Sequence, residues 1–145
     1  MPKVVLDATI LVSAFLTQKG VSVELLDHAV AGAFELYLSD AIIEETRDVL
    51  LHRAHLRRRF VYTDQEVEEF CLLLRAFARP VPDLPTVRVI RDPNDDYVLA
   101  TAIAAGATYV VTRDKDLLTL KIYEDVHMIS PEAFIDVVRR RTSQS

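Results

Sequence analysis

Cysteine, glycine and long apolar runs are all scarce in this chain, and each scarcity closes off a class of function. Cys71 is the one cysteine among 145 residues, so no intramolecular disulfide forms and no cysteine-rich zinc site can be built. Its neighbours Phe70, Leu72, Leu73 and Leu74 point to a buried apolar role. Three glycines in the whole chain leave no phosphate-cradling P-loop and no dinucleotide fingerprint. No apolar stretch approaches the roughly 20 residues that span a bilayer, and Met1-Pro2-Lys3 runs straight into a strand-like segment without a charged-then-apolar leader. The expectation is a cytoplasmic protein with no membrane contact. Histidine is sparse too: residues 28, 52, 55 and 127 make no convincing metal set or catalytic triad. His52 and His55 stand at helical spacing but inside a basic run, which argues against zinc. The net charge of −5, from 17 basic and 22 acidic residues, argues against a uniformly basic nucleic-acid binder. It leaves room for local basic patches, because acids clustered at a site lower the total without touching them.

What the chain does have is apolar material in short, alternating blocks. Half the residues are hydrophobic, enough for a real core in a single domain, expected over 1–141 with 142–145 as a loose tail. Lys3 to Leu6 is a β-branched run stopping at Asp7. Helical spacing follows from Ile10 to Leu16 and from Val21 to Ala31, punctuated by Gly20 and Gly32. Phe34 to Leu38 reads as a second strand, and Ser39 or Asp40 caps a helix with inner positions Ile42, Ile43, Thr46, Val49 and Leu50. Thr63-Asp64-Gln65-Glu66 is a capping box for a helix to about Ala78. Pro80, Pro82 and Pro85 mark an extended connector before a further strand at Val87 to Ile90. Asp92-Pro93 opens a helix through Ala105 that ends at Gly106. Thr108 to Val111 and Val126 to Ile129 are strands, with a short helix at Leu117-Leu118 between them and a last helix capped by Ser130-Pro131-Glu132. Short strands alternating with helices imply a mostly parallel sheet covered on both faces.

Carboxylates fall just past these strands or on first helical turns: Asp7, Asp40 with Glu44 and Glu45, Asp92 with Asp95 and Asp96, and Asp114 with Asp116. In an open α/β sheet, ligands bind beyond the carboxyl ends of the strands. Asp7 ends the first strand and Asp114 follows Val110-Val111 by three residues, so both reach one edge. Acids converging there repel one another unless a hard divalent cation neutralises them. First-turn acids can instead merely complement a helix dipole, and that reading suits Asp92 and Asp40. Glu44 and Glu45 point about 100° apart; Glu45 lies nearer the buried stripe of Ile42, Val49 and Leu50, and Glu44 reads as solvated. Thr9 and Thr112 each sit two residues from an acid, where a hydroxyl can hold a carboxylate or serve ordinary capping chemistry.

Basic residues gather in His52-Arg53-Ala54-His55-Leu56-Arg57-Arg58-Arg59 and in Arg139-Arg140-Arg141. A solvated helix face is the default reading of such a run. With no acid in it, the first also forms a phosphate-attracting surface, and Arg53, Arg57, Arg58 and Arg59 are candidate RNA contacts, with Arg113 at the rim of the acidic site.

The segments at 4–14 (VVLDATILVSA), 38–45 (LSDAIIEE), 91–102 (RDPNDDYVLATA) and 110–118 (VVTRDKDLL) resemble, in order, the successive motifs of the PIN domain family, and the closing 129–134 (ISPEAF) extends the likeness over nearly the whole chain. More narrowly they are similar to the toxin components of bacterial or archaeal toxin–antitoxin systems. The resemblance implies a three-layer α/β/α sandwich with a central, mostly parallel sheet of four to five strands. It also implies an acidic Mg²⁺- or Mn²⁺-dependent endoribonuclease site that cleaves RNA phosphodiesters by two-metal-type hydrolysis. Carried over by position, the catalytic acids are Asp7, Glu45, Asp95 and Asp114, with Asp7, Asp95, Asp114 and Asp116 as metal ligands and Thr9 and Thr112 as auxiliaries. A cognate antitoxin and a homodimer are the implied partners. One position departs from the family pattern: Thr9 stands where asparagine is usual, which implies altered geometry or activity.

Three alternatives differ in class. A haloacid-dehalogenase-type phosphatase also places an acid after its first strand but needs a second acid two residues on, where this chain has Thr9; a phosphorelay receiver needs an acidic pair at that strand end, and only Asp7 is present. The other alternative is a PIN-like module that binds RNA or a partner without cleaving.

Overall fold

The computed structural model describes the backbone of residues 1–86 and 93–143, with side chains throughout except at 93–95, 142 and 143. The elements run β1 (Lys3–Leu6), α1 (Ala8–Leu16), α2 (Val21–Val30), β2 (Glu35–Leu38), α3 (Asp40–His52), α4 (Ala54–Arg59), α5 (Asp64–Phe77), β3 (Arg79–Pro80), α6 (Pro93–Ala105), β4 (Tyr109–Val111), α7 (Lys115–Leu120), β5 (Ile122–Tyr123), β6 (Val126–Ile129) and α8 (Pro131–Ser143). Among the described residues the strands form one sheet in the order β3-β2-β1-β4-β6-β5. Every pairing is parallel except the antiparallel β5–β6. This is the expected α/β architecture of a mostly parallel sheet flanked by helices.

The strand count is six among the described residues, not the expected four to five. The additions, β3 and β5, are two residues long, too short to carry an alternating pattern. Both are edge strands, and Pro80 is tolerated in β3 because an edge position does not need its missing N–H. The strand expected at Val87 to Ile90 lies outside the described residues. Part of the basic run, for which no separate helix was expected, forms α4, because Arg53 turns extended (φ −79°, ψ 105°) and ends α3.

The middle of the sheet is buried on both sides. Val4, Val5 and Leu6 of β1 and Val110 and Val111 of β4 are all fully shielded. Since successive strand residues point to opposite faces, this requires cover on each. Helix α6 packs against β1, β2 and β4. Phe134 of α8 meets Phe34 edge-on at 5.3 Å and Tyr109 at 5.2 Å between ring centroids. Away from the sheet, α5 lies antiparallel along α3: Glu68 pairs with Arg47 at 2.6 Å, and near the other end Arg75 pairs with Asp40 and Glu44. Helix α5 starts where its sequence says it should, with Thr63 and Glu66 closing a reciprocal capping box, and it buries Val67, Cys71 and Leu74. Burial pushes the Cys71 thiol up from its ordinary range, the mark of a packing residue.

β1 and β4 are neighbours in the sheet but far apart in the chain. From β1 the chain goes outward to β2 and β3; from β4 it goes the other way to β6. The carboxyl ends of β1 and β4 therefore flank the point where the winding reverses, which is where an open α/β sheet forms its crevice.

Candidate active site

Leu6 is in register with Val111, so the next residues, Asp7 and Thr112, leave the sheet side by side. The Asp7 N–H continues the ladder to the Val111 carbonyl at 3.2 Å, and the Thr112 N–H donates to Ile129 at 3.0 Å. Asp7 is also the N-cap of α1: its Oδ1 accepts from the Ile10 N–H at 3.2 Å. The same oxygen accepts the Thr9 hydroxyl at 2.5 Å, and Oδ2 accepts the Thr112 hydroxyl. Thr112 Oγ1 in turn accepts the Asp114 N–H at 2.9 Å. Asp114 caps α7, with Oδ1 receiving the N–H groups of Asp116 at 2.8 Å and Leu117 at 3.3 Å. One continuous set of hydrogen bonds thus joins Thr9, Asp7, Thr112 and Asp114.

The set sits in an unusual electrostatic setting. Asp7 is only 4% exposed and Thr112 is fully buried. Burial raises the Asp7 carboxyl above its ordinary value; the Thr112 and Thr9 hydroxyls and the Ile10 N–H pull it part of the way back, and the nearby charge of Asp114 pushes it up again. A buried carboxylate beside a second acid is strained in its charged form. A cation at the pair relieves both the desolvation and the repulsion.

The other expected residues stand as follows. Asp116 is exposed on the first turn of α7 and contributes its N–H to the Asp114 cap. Glu45 is half-buried on α3, while Glu44 is exposed and paired with Arg75 at 3.2 Å. Helix α3 packs against α1 and α6, the helices that begin at Asp7 and beside Asp95. Asp95 lies in the first turn of the α6 backbone; its side chain, like all of Asp92, falls outside the described residues. Arg113 is exposed and clamped by Glu132 at 2.6 and 3.1 Å. Asp40 lies in the first turn of α3 and pairs with Arg75, and the cap itself is Ser39, accepting from the Ile42 N–H at 3.4 Å.

The sequence reading missed a tie between α3 and α6. Thr101 Oγ1 lies 2.7 Å from Ser39 Oγ and 2.7 Å from the Tyr97 carbonyl, and both threonine and serine are buried. Its single proton serves the carbonyl while the Ser39 hydroxyl donates to Thr101, which leaves the Ser39 oxygen free to cap α3. The bond fixes the helix bearing Glu45 against the helix bearing Asp95. Nothing in the local sequence announces it, because the partners are 62 residues apart.

Among the described residues, no three acidic, histidine or cysteine side chains converge as a ready-made metal cage. The donors that do converge, Asp7 and Asp114, offer only carboxylate oxygen. That donor type suits a hard cation such as Mg²⁺ or Mn²⁺, and Mg²⁺ is commonly held by one or two carboxylates while keeping several waters. The residues fit such an ion.

Comparison with known proteins agrees with this architecture. A chain in the crystal structure of VapBC2 from Rickettsia felis bound to a DNA fragment from their promoter superposes with a TM-score of 0.59 at 12% identity, covering 88% of this chain and 98% of that one. No curated protein matches in sequence. The sequence model of the PIN domain matches residues 3–116, a span that includes every acid assigned to the site. This chain belongs to the PIN domain family, whose members are generally nucleases that use divalent metals.

Proposed function

We propose that this chain is a Mg²⁺- or Mn²⁺-dependent endoribonuclease, the toxin of a toxin–antitoxin pair, acting in the cytoplasm as a homodimer. The observation that carries the reading is the buried Asp7 carboxylate, held by Thr9, Ile10 and Thr112 and set beside Asp114 at the crevice between β1 and β4. The toxin assignment draws support from motifs similar to toxin components and from a fold shared with a chain of the VapBC2 complex.

In this reading Asp7 and Asp114 hold the cation, joined by Asp95 from α6 and assisted by Asp116. When bound, the ion supplies Lewis acidity toward a phosphodiester and a source of nucleophilic water near neutral pH. Thr112 keeps Asp7 in one rotamer and ties the backbone of Asp114 to it, so the two acids keep their separation without the ion. Asp114 spends one oxygen on the α7 cap and presents the other. Glu45 completes the acidic cluster from α3, and the Ser39–Thr101 bond holds that helix in place.

The test is cleavage of single-stranded RNA with Mn²⁺ by the unaltered chain and by Asp7→Asn and Asp95→Asn variants. Loss of cleavage in both variants is expected, and undiminished cleavage would overturn the site. Calorimetric titration with Mg²⁺ and Mn²⁺ separates the enzyme from a non-catalytic binding module, which would take up no ion. A small antitoxin-like protein encoded by the adjacent upstream reading frame is the expected genetic partner.

A further inference from the structure

Six arginines among the described residues are held in ion pairs. Arg47 pairs with Glu68, Arg57 with Asp64, Arg75 with Asp40 and Glu44, Arg79 with Glu35, Arg113 with Glu132 and Arg139 with Glu24. These guanidinium groups lace helices and loops together. Arg57 is the most firmly held of the basic run: besides Asp64 it reaches the Leu50 carbonyl at 3.5 Å and lies 4.6 Å from the centre of the Tyr62 ring. Arg53, Arg58 and Arg59 differ from these. All three are exposed, and none has a carboxylate within ion-pair distance among the described residues. No acid occurs in the sequence between Asp48 and Asp64, so local backbone supplies no counter-charge. The exposed His52 and His55 lie on the same stretch, and Arg59 lies 5.5 Å from the centre of the Phe60 ring.

On a chain with a net charge of −5, three neighbouring guanidinium groups without an ion pair among the described residues are a local reversal of sign. Helix geometry relates it to the acidic site. From Glu45 to His52 along α3 is seven residues, or about 10 Å at the usual rise of 1.5 Å per residue, and α4 begins two residues beyond. The first residues of α4 therefore lie beyond that distance from the α3 acid, a gap that one extended strand can still bridge.

We infer that Arg53, Arg58 and Arg59 form the surface that grips the phosphodiester backbone of single-stranded RNA entering the acidic site, and that Arg57 and Arg113 belong to the scaffold instead. The inference rests on the ribonuclease reading for the identity of the polyanion. The contacts proposed for these three arginines are to phosphate and carry no sequence information, because an exposed guanidinium meets the backbone through charge and oxygen geometry. Arginine suits the task better than lysine, since it matches two phosphate oxygens at once and also stacks.

The test uses the full chain carrying Asp7→Asn, so that the probe survives, and a fluorescein-labelled mixed-sequence RNA strand read by anisotropy across a salt series. Against this parent, the triple variant Arg53→Gln, Arg58→Gln, Arg59→Gln is expected to bind more than 10-fold more weakly at 0.15 M salt. Each phosphate contact contributes about −0.7 to the slope of log affinity against log salt for a single strand, so the slope should flatten by about 2. The triple lysine variant should keep the slope, because the charge remains. Two paired arginines removed elsewhere, Arg79→Gln and Arg139→Gln, should change affinity less than 2-fold. A triple glutamine variant that binds RNA as the parent does, with the same slope, overturns the inference and leaves the nuclease assignment standing. RNA cleavage by the unaltered chain with equal loss in the triple variant and the controls also overturns it. Tighter binding of duplex DNA than of RNA, lost in the same triple variant, reassigns the surface to DNA and overturns the RNA proposal. No RNA binding by the parent overturns both readings together.

Discussion

Replacing Thr112 by valine tests whether the hydroxyl under Asp7 holds the site together. Valine keeps the β-branched shape at a position with no solvent exposure, so no cavity opens. Two hydrogen bonds disappear: the one Thr112 donates to Asp7 and the 2.9 Å bond it accepts from the Asp114 N–H. A bond to a charged partner contributes about 1.5–3 kcal/mol and an ordinary one about 1 kcal/mol, and the extra buried methyl recovers about 0.8 kcal/mol. The expected net loss is about 2–3 kcal/mol, or a fall in Tm of about 4–12 °C for a domain of this size. The pH dependence has a definite sign. Burial raises the Asp7 carboxyl, and the Thr112 hydroxyl opposes that rise; without it the carboxyl climbs further in the folded state. The difference between the two proteins is therefore complete where Asp7 is ionised and shrinks as acid protonates it in both. Urea unfolding with chelator present, from pH 8 down to the onset of acid unfolding, reads this directly. A loss below about 0.5 kcal/mol at pH 8 would refute the account, since one charge-assisted bond alone exceeds it. So would a loss that does not change with pH.

Other perturbations have equally definite outcomes. Asp7→Asn should raise metal-free stability at neutral pH, because the folded state disfavours the charged carboxylate, and it should abolish any Tm increase caused by Mn²⁺; differential scanning calorimetry with and without the ion measures both. The unaltered chain without metal should gain stability as the pH falls from the raised folded-state value toward the ordinary carboxylate range, a trend missing in Asp7→Asn. Thr9→Asn, which restores the residue usual in the family, should keep the α1 cap on Asp7 and match or exceed the cleavage rate of the unaltered chain; a lower rate would show that the Thr9 hydroxyl on Asp7 Oδ1 is needed. Thr101→Val should cost about 1–2 kcal/mol in urea unfolding through loss of the buried bond to Ser39, and cleavage should fall with little change in KM because RNA contacts are untouched.

Much of this protein is legible locally. The helix starts follow from capping side chains: Thr63 with Glu66 on α5 and Ser39 on α3. The central strands follow from apolar blocks that end in acids, Leu6 before Asp7 and Val111 shortly before Asp114. The preference for Glu45 over Glu44 rested on helix geometry, and the structure places Glu45 half-buried and Glu44 outside against Arg75. The two-residue strands β3 and β5 were not legible, because pairing with a longer neighbour defines them rather than any pattern of their own. Helix α4 was hidden within a charge run for a similar reason.

Sequence alone determined the fold class and the acids at strand ends, because those depend on periodicity, capping and residue order, which act over a few positions; the family was legible through the resemblance of four successive motifs. The meeting of Thr112 with Asp7 across 105 residues, the Ser39–Thr101 tie and the ion pairs that hold Arg57 and Arg113 were decided only by tertiary structure. Each depends on sheet register or on which helix faces which, and such contacts between distant segments leave no trace in the spacing of neighbouring residues.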